Sequence, residues 1–213
     1  MKNFLHNGRQ ALLVTIVLLL ICGLLFPLLL TGLSKVFFPS QAAGSLVTVD
    51  GQVVGAKNVG QEFTEDYYLW GRPSAYHYNS YVEGEDGTPY YTDGTPFSGL
   101  GSGSNNYAPS NPALADRVEQ DLEAFLKKNP DVKKENIPTD LLTASGSGLD
   151  PHISPASAEI QIPRIAKASG LDEEKLREIV KNNTSGKLFG IFGEETVNVL
   201  KVNIEIAKNM GIL

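Results

Sequence analysis

The chain has 213 residues, 42% of them hydrophobic, which suits one domain with an appendage and excludes a wholly disordered polymer. Its single cysteine excludes a disulfide framework or a cysteine-built metal site. A formal charge of −6 argues against a nucleic-acid partner, which would need a broad basic face.

The apolar residues are crowded at the start. From Ala11 to Ser34 there are 24 residues without a charge, and 15 of the first 20 are Leu, Ile, Val or Phe. Twenty residues at a rise of about 1.5 Å span about 30 Å, the thickness of a bilayer's hydrocarbon core. At about 0.4 kcal/mol each, these side chains favour insertion by about 6 kcal/mol. Residues 11–34 are therefore predicted to be a transmembrane anchor. The run is too long for the core of a cleaved signal peptide, about 7–15 residues, and Leu20-Ile21 before Cys22 is no lipoprotein signal. Gly23 and Pro27, spaced i, i+4, are candidate subunit-docking residues that would offer a neighbouring helix a flat notch.

Lys2, Arg9 and the α-amino group precede the span, and Lys35 alone follows it closely. Residues 1–10 are thus expected in the cytoplasm and residues 36–213 outside, at the cell membrane. Lys2, Arg9 and Lys35 are the only charged side chains before Val36, so the remainder carries a formal −9. That charge would draw cations within a Debye length of about 8 Å.

Val47-Thr48-Val49 and Gln52-Val53-Val54, joined by Asp50-Gly51, predict a β-hairpin with a type I′ turn. An aromatic cluster, Tyr67-Tyr68-Leu69-Trp70, follows. Residues 76–110 hold six Gly and six Tyr and show no period of 2 or 3.6, the pattern of a partner-contacting loop or of a variable insertion. Asn111-Pro112 caps a predicted helix with an apolar stripe through Leu114, Val118, Leu122 and Phe125, stopped by Asn129-Pro130. A second helix is expected from Ser154-Pro155, interrupted at Pro163, and a third from Asp172. A fourth, about Glu195 to Lys208, is apolar on two faces and should be central to the core. The expected class is α+β: one N-terminal transmembrane helix, then a single soluble domain with a hairpin region and about four helices.

Chemistry is sparse. No phosphate-binding loop is present, and His77 and His152 are the only histidines beyond the apolar run. The densest candidate segment runs from Ser145 to Pro155. A hydrolase reading would use Ser147, Asp150 and His152, but Asp150 and His152 are too close in sequence for ordinary triad geometry, and no nucleophile elbow exists. A rigid docking turn built on Asp150, Pro151 and His152 is the better reading, with Gly146 and Gly148 permitting close approach.

Several motifs in order resemble the C subunit of the Kdp complex, the potassium-transporting P-type ATPase. They are Gly71-Arg72-Pro73-Ser74-Ala75, Ser104-Asn105-Asn106-Tyr107-Ala108-Pro109-Ser110-Asn111-Pro112, Thr143 through Pro155, Gln161-Ile162-Pro163-Arg164-Ile165-Ala166 and Val197-Asn198-Val199-Leu200. Glu83 to Thr95 departs from the pattern as a local insertion. The resemblance implies a non-catalytic accessory subunit of an ATP-driven potassium uptake complex. Its partners would be a channel-like potassium-translocating subunit and a P-type pump subunit. It would have no intrinsic cofactor, ATP being the substrate of the complex, and would act as a catalytic chaperone that raises the pump's affinity for ATP. Gln161 resembles the position proposed to contact nucleotide in that family. The flanking charges instead place Gln161 outside, away from cytosolic ATP, which routes any effect on ATP through the partner subunits. The competing classes are a membrane-anchored binding module for envelope glycans, using the Tyr-rich loop, and an exported hydrolase.

Overall fold

A computed structural model of the chain describes residues 2–213, with side-chain surroundings from His6 onward. The chain divides into two compact units, the second running Val47–Leu213.

In the first unit, helix α1 (Lys2–Leu20) continues through a π-turn (Ile21–Leu25) into α2 (Phe26–Phe37), and the short α3 (Pro39–Ala42) follows. The π-turn has a local cause. Pro27 has no N–H to give to the carbonyl of Gly23, and its ring would press on that carbonyl. Widening the helix by one residue relieves this, and the Phe26 N–H donates instead to Ile21 O, five residues back. The segment His6–Phe37 is long and apolar enough to cross a membrane, and none of its residues is buried. Gly23 and Pro27 therefore sit in and beside a π-turn rather than on a regular i, i+4 ridge. A Cβ at Gly23 would meet only Leu19 Cδ2, at 3.7 Å.

The second unit is mixed α+β. Strands β1 (Leu46–Val49) and β2 (Gln52–Ala56) pair across Asp50 and Gly51, whose φ values of 50° and 81° are those of the type I′ turn expected from the dipeptide. Within the Tyr-rich stretch, β3 (Val82–Glu83) and β4 (Pro89–Tyr90) form a second small antiparallel sheet. Helix α4 (Pro112–Lys128) starts at Asn111, whose side chain accepts from the Ala113 N–H, and ends at Asn129.

The third sheet has the order β5 (His152–Ile153), β7 (Thr196–Asn198), β6 (Thr184–Ser185), antiparallel throughout, with His152 opposite Asn198 and Thr184 opposite Val197. Helices α5 (Pro155–Glu159), α6 (Ile162–Ser169), α7 (Glu173–Asn182) and α8 (Val199–Met210) complete the unit. Ser154 and Asp172 cap α5 and α7, and the expected break before Pro163 falls at Ile160–Gln161. The fourth helix begins later than its apolar pattern suggested. Val197 pairs with β5 on one side and β6 on the other, Thr196 pairs with β6, and the Asn198 side chain then caps α8 by accepting from Lys201 N–H. The core gathers Ile153, Ile162, Ile165, Leu176, Ile179, Val197 and Ile206 around Leu69.

Candidate functional site

Two polar assemblies and a cleft between chain segments hold the chemistry of the second unit. The first assembly centres on residues 69–70, which enter the core without a strand partner. Two side-chain amides replace one. Asn203 of α8 accepts from Leu69 N–H (2.7 Å) and donates to Leu69 O (2.9 Å). Gln161, just before α6, does the same for Trp70, at 3.0 and 3.2 Å. Gln161 Nε2 also donates to Ser157 O, and its Oε1 accepts from Arg164 Nη2 at 2.7 Å. Gln161 is thus fully buried with both amide hydrogens and both acceptor positions used inside the protein. A nucleotide could reach it only by opening this cluster.

Arg164 is buried beside it, its guanidinium 4.1 Å from the Trp70 ring centroid. It donates to Asn129 Oδ1 and to the carbonyls of Asp66 and Tyr68. Burial lowers its pKa to about 10, and the nearby Asp66 charge opposes that shift. The cation is held by carbonyl and amide dipoles and an aromatic face.

The second assembly joins Gly71–Ser74 to Ser145–Pro155. Arg72 donates to Thr143 O and lies 3.5 Å from Asp150 Oδ2. The Ser74 hydroxyl donates to Gly148 O at 2.7 Å, and Gly148 N–H to Ser102 O. Asp150 Oδ1 accepts from His152 N–H at 3.0 Å, and buried Pro151 accepts through its carbonyl from Val199 N–H. The docking candidates Asp150, Pro151 and His152 thus lie at the entry to β5, with Asp150 and His152 joined by a side-chain-to-backbone bond and Pro151 bonded to Val199.

His152 Nε2 accepts from Asn198 Nδ2 at 3.4 Å, which leaves the ring proton on Nδ1, 3.8 Å from Asp150 Oδ1. Burial lowers the His152 pKa and outweighs the pull of Asp150, favouring the neutral ring. Ser147 is exposed, and its hydroxyl accepts from Leu149 N–H. Among the described residues, no hydrogen bond links Ser147 to His152, and no three His, Cys, Asp or Glu side chains form a metal-holding group. The carboxylate that gathers serines is Asp140, which accepts from Ser154 N–H and from the hydroxyls of Ser154 and Ser157. Burial raises its pKa, but those donors prevail and the net shift is downward.

The Tyr-rich stretch is packed by matched glycines. His77, Tyr78 and Asn79 have φ of 45°, 54° and 59°, a single left-handed turn without glycine. The Tyr78 ring fills the space that a Cβ at Gly60 or Gly71 would occupy, and its hydroxyl donates to Arg72 O. Tyr76 fills the corresponding space at Gly101. His77 Nδ1 meets Glu62 at 2.9 Å and its Nε2 faces Asp93 at 3.5 Å, tying the inserted arm to the body. Beside this turn lies a cleft of about 770 Å³, lined by Phe63, Trp70, Arg72, Tyr78, Tyr107 and Arg117 among others. Both arginines are engaged, Arg117 with Asp121 and Leu142 O. The arrangement offers a preformed surface.

Sequence reasoning missed Arg164 and Asn203. Arg164 follows Gln161 by one helical turn, and Asn203 is a polar break on an otherwise apolar face of α8; these were the available signals.

A family model described as KdpC, the c chain of a K+-transporting ATPase, matches residues 8–208. A relative from Clostridium kluyveri, named potassium-transporting ATPase KdpC subunit, is 58% identical over 212 residues, covering 100% of this chain and 98% of its own. A relative of the same name from Clostridioides difficile is 58% identical over 96% of this chain and 98% of its own. One from Rhodopseudomonas palustris is 46% identical over 95% of this chain and 96% of its own.

Proposed function

The chain belongs to the KdpC family, the c chains of K+-transporting ATPases, and from that membership we propose that it is the non-catalytic accessory subunit of an ATP-driven potassium uptake complex. The observation that carries this reading is the extent of the correspondence, 58% identity over 212 residues that make up 98% of the relative's own length. The complex would supply a channel-like subunit for the ion and a P-type pump subunit for ATP. This chain would assist their assembly and raise the pump's affinity for ATP through protein contacts. The internal use of every hydrogen-bonding position of Gln161 supports an indirect route to that effect.

The test is purification of the tagged full chain from its own membranes in mild detergent. Two larger membrane chains with potassium-stimulated ATPase activity should accompany it, and removal of the chain should raise the ATP concentration needed for half-maximal activity. Recovery of the chain alone would overturn the reading, and recovery with bound saccharide would favour an envelope-glycan binder.

A further inference from the structure

Strands β6 and β7 are joined by residues 186–195, and the tip of this connection exposes four large apolar side chains. Leu188, Phe189, Ile191 and Phe192 are 63%, 83%, 75% and 64% exposed. The tip is closed, with Leu188 N–H donating to Phe192 O at 2.8 Å and Phe192 N–H to Leu188 O at 3.0 Å. Its base is fixed in the core by Val197, which is fully buried. At the apex, Phe189 has a φ of 53°, a left-handed conformation that costs a bulky residue about 1–2 kcal/mol. A chain that needed only to turn would place Asn or Gly there.

Phenylalanine offers about 150–250 Å² per side chain for burial. Two of them beside Leu and Ile reach the few hundred Å² at which an exposed apolar patch marks an interaction site. Backbone strain and solvent exposure are separate costs, and both fall on the same residue.

We propose that Leu188–Phe192 is a preformed wedge that inserts into an apolar socket, rimmed by Lys or Arg, on another protein chain of the same complex. This rests on the reading of the chain as a subunit. Charge selects the partner. Exposed Glu194 and Glu195 follow the tip, Lys187 is the one cation beside it, and residues from Val36 onward carry a formal −9. Interfacial membrane segments rely on Lys and Arg for anionic lipid, so this tip is repelled by such a surface. A second copy would set −9 against −9, with Glu194 and Glu195 near their counterparts. A basic-rimmed apolar socket meets both the charge and the surface. The helix His6–Phe37, with the length and hydropathy to cross a membrane, would tether the chain to the membrane that holds such partners.

The experiment uses the tagged full chain expressed with its partner subunits. Phe189→Asn removes the ring while accepting the left-handed backbone, and Ile191→Ser removes a second contact. Each should reduce recovery of the partner subunits about tenfold, with a thermal midpoint no lower than that of the unaltered chain. In parallel, Phe189→p-benzoylphenylalanine is photolysed in membranes. An adduct with an apolar segment of a partner subunit flanked by Lys or Arg supports the assignment. An adduct with lipid or with a second copy, or undiminished recovery in both variants, overturns it while leaving the subunit reading intact. Failure of the unaltered chain to recover partners overturns the subunit reading, and the wedge with it.

Discussion

Leu69 is buried and Trp70 half-buried, with backbone groups that no neighbouring strand serves, and the amides of Asn203 and Gln161 serve them instead. An unserved buried amide costs about 1–3 kcal/mol, so these side chains are as necessary to the core as its leucines. His152 shows the same dependence on partner chemistry, and it makes stability respond to pH. Burial lowers its folded pKa, whereas the unfolded side chain titrates near about 6.5. Between the folded value and about 6.5 the unfolded chain binds more protons, so the contribution of His152 is complete above that range and is lost as pH falls through it. Asp140, its pKa lowered on balance by three donors, acts in the same sense further into acid. Thermal unfolding in detergent should therefore occur at lower temperature at about pH 5.5 than at about pH 7.5. His152→Gln, which can still accept from Asn198, should flatten that difference; an unchanged difference would exclude His152 as its source.

The left-handed turn His77–Asn79 is the element whose sequence least announces it. Three non-glycine residues there cost about 1–2 kcal/mol each. Local bonds offset this: the Ser74 hydroxyl oxygen accepts from the N–H groups of Tyr76 and Tyr78, and Asn79 Oδ1 accepts from Gly101 N–H. The Tyr78 ring, set against Gly60 and Gly71, then locks the turn to the body. A Cβ at Gly71 would lie 2.7 Å from the Tyr78 hydroxyl. Gly71→Ala should cost about 1–3 kcal/mol by overpacking, and Tyr78→Phe about 1 kcal/mol through the lost bond to Arg72 O. Because Tyr78→Phe also removes the atom that the added methyl group would strike, the double variant should lose about 1 kcal/mol less than the sum. Denaturant unfolding of the four chains checks this, and strict additivity would exclude the hydroxyl as the obstacle. Residues 76–110, aperiodic in sequence, thus contain a built turn and a small sheet whose fit depends on glycines outside the stretch as well as within it.

For the whole molecule, the charges flanking the apolar helix predict a second unit outside the membrane. Lys2, Arg9 and the free amine stand before the apolar helix against Lys35 after it. Ser102 is exposed, and Cys22 lies in the apolar helix. A Ser102→Cys variant should be labelled by an impermeant maleimide on intact cells with an accessible membrane surface, with Cys22 sheltered by lipid. Labelling only after lysis would place Gln161 on the side of ATP and reopen a direct nucleotide contact.

The features legible in the sequence were those decided within a turn or two of chain. Asn111, Ser154 and Asp172 mark helix starts because a cap acts over two or three residues, and Asp50-Gly51 fixes a hairpin because two dihedrals suffice. The apolar run is legible for the same reason, since hydropathy and length are properties of contiguous residues. Thr196-Val197, written in a helical pattern, became a strand because β5 and β6 flank it. Gln161 and Asn203 acquired their roles from Trp70 and Leu69, 91 and 134 residues away. The exposure of Phe189 likewise depended on where the sheet aims its hairpin, not on the apolar letters of the tip. Sequence by itself determined the helix caps, the first hairpin, the apolar helix and the family motifs, while tertiary structure decided which polar groups are buried and which apolar ones are left out. Those outcomes depend on partners brought close only when the chain is closed on itself, and no local spacing encodes them.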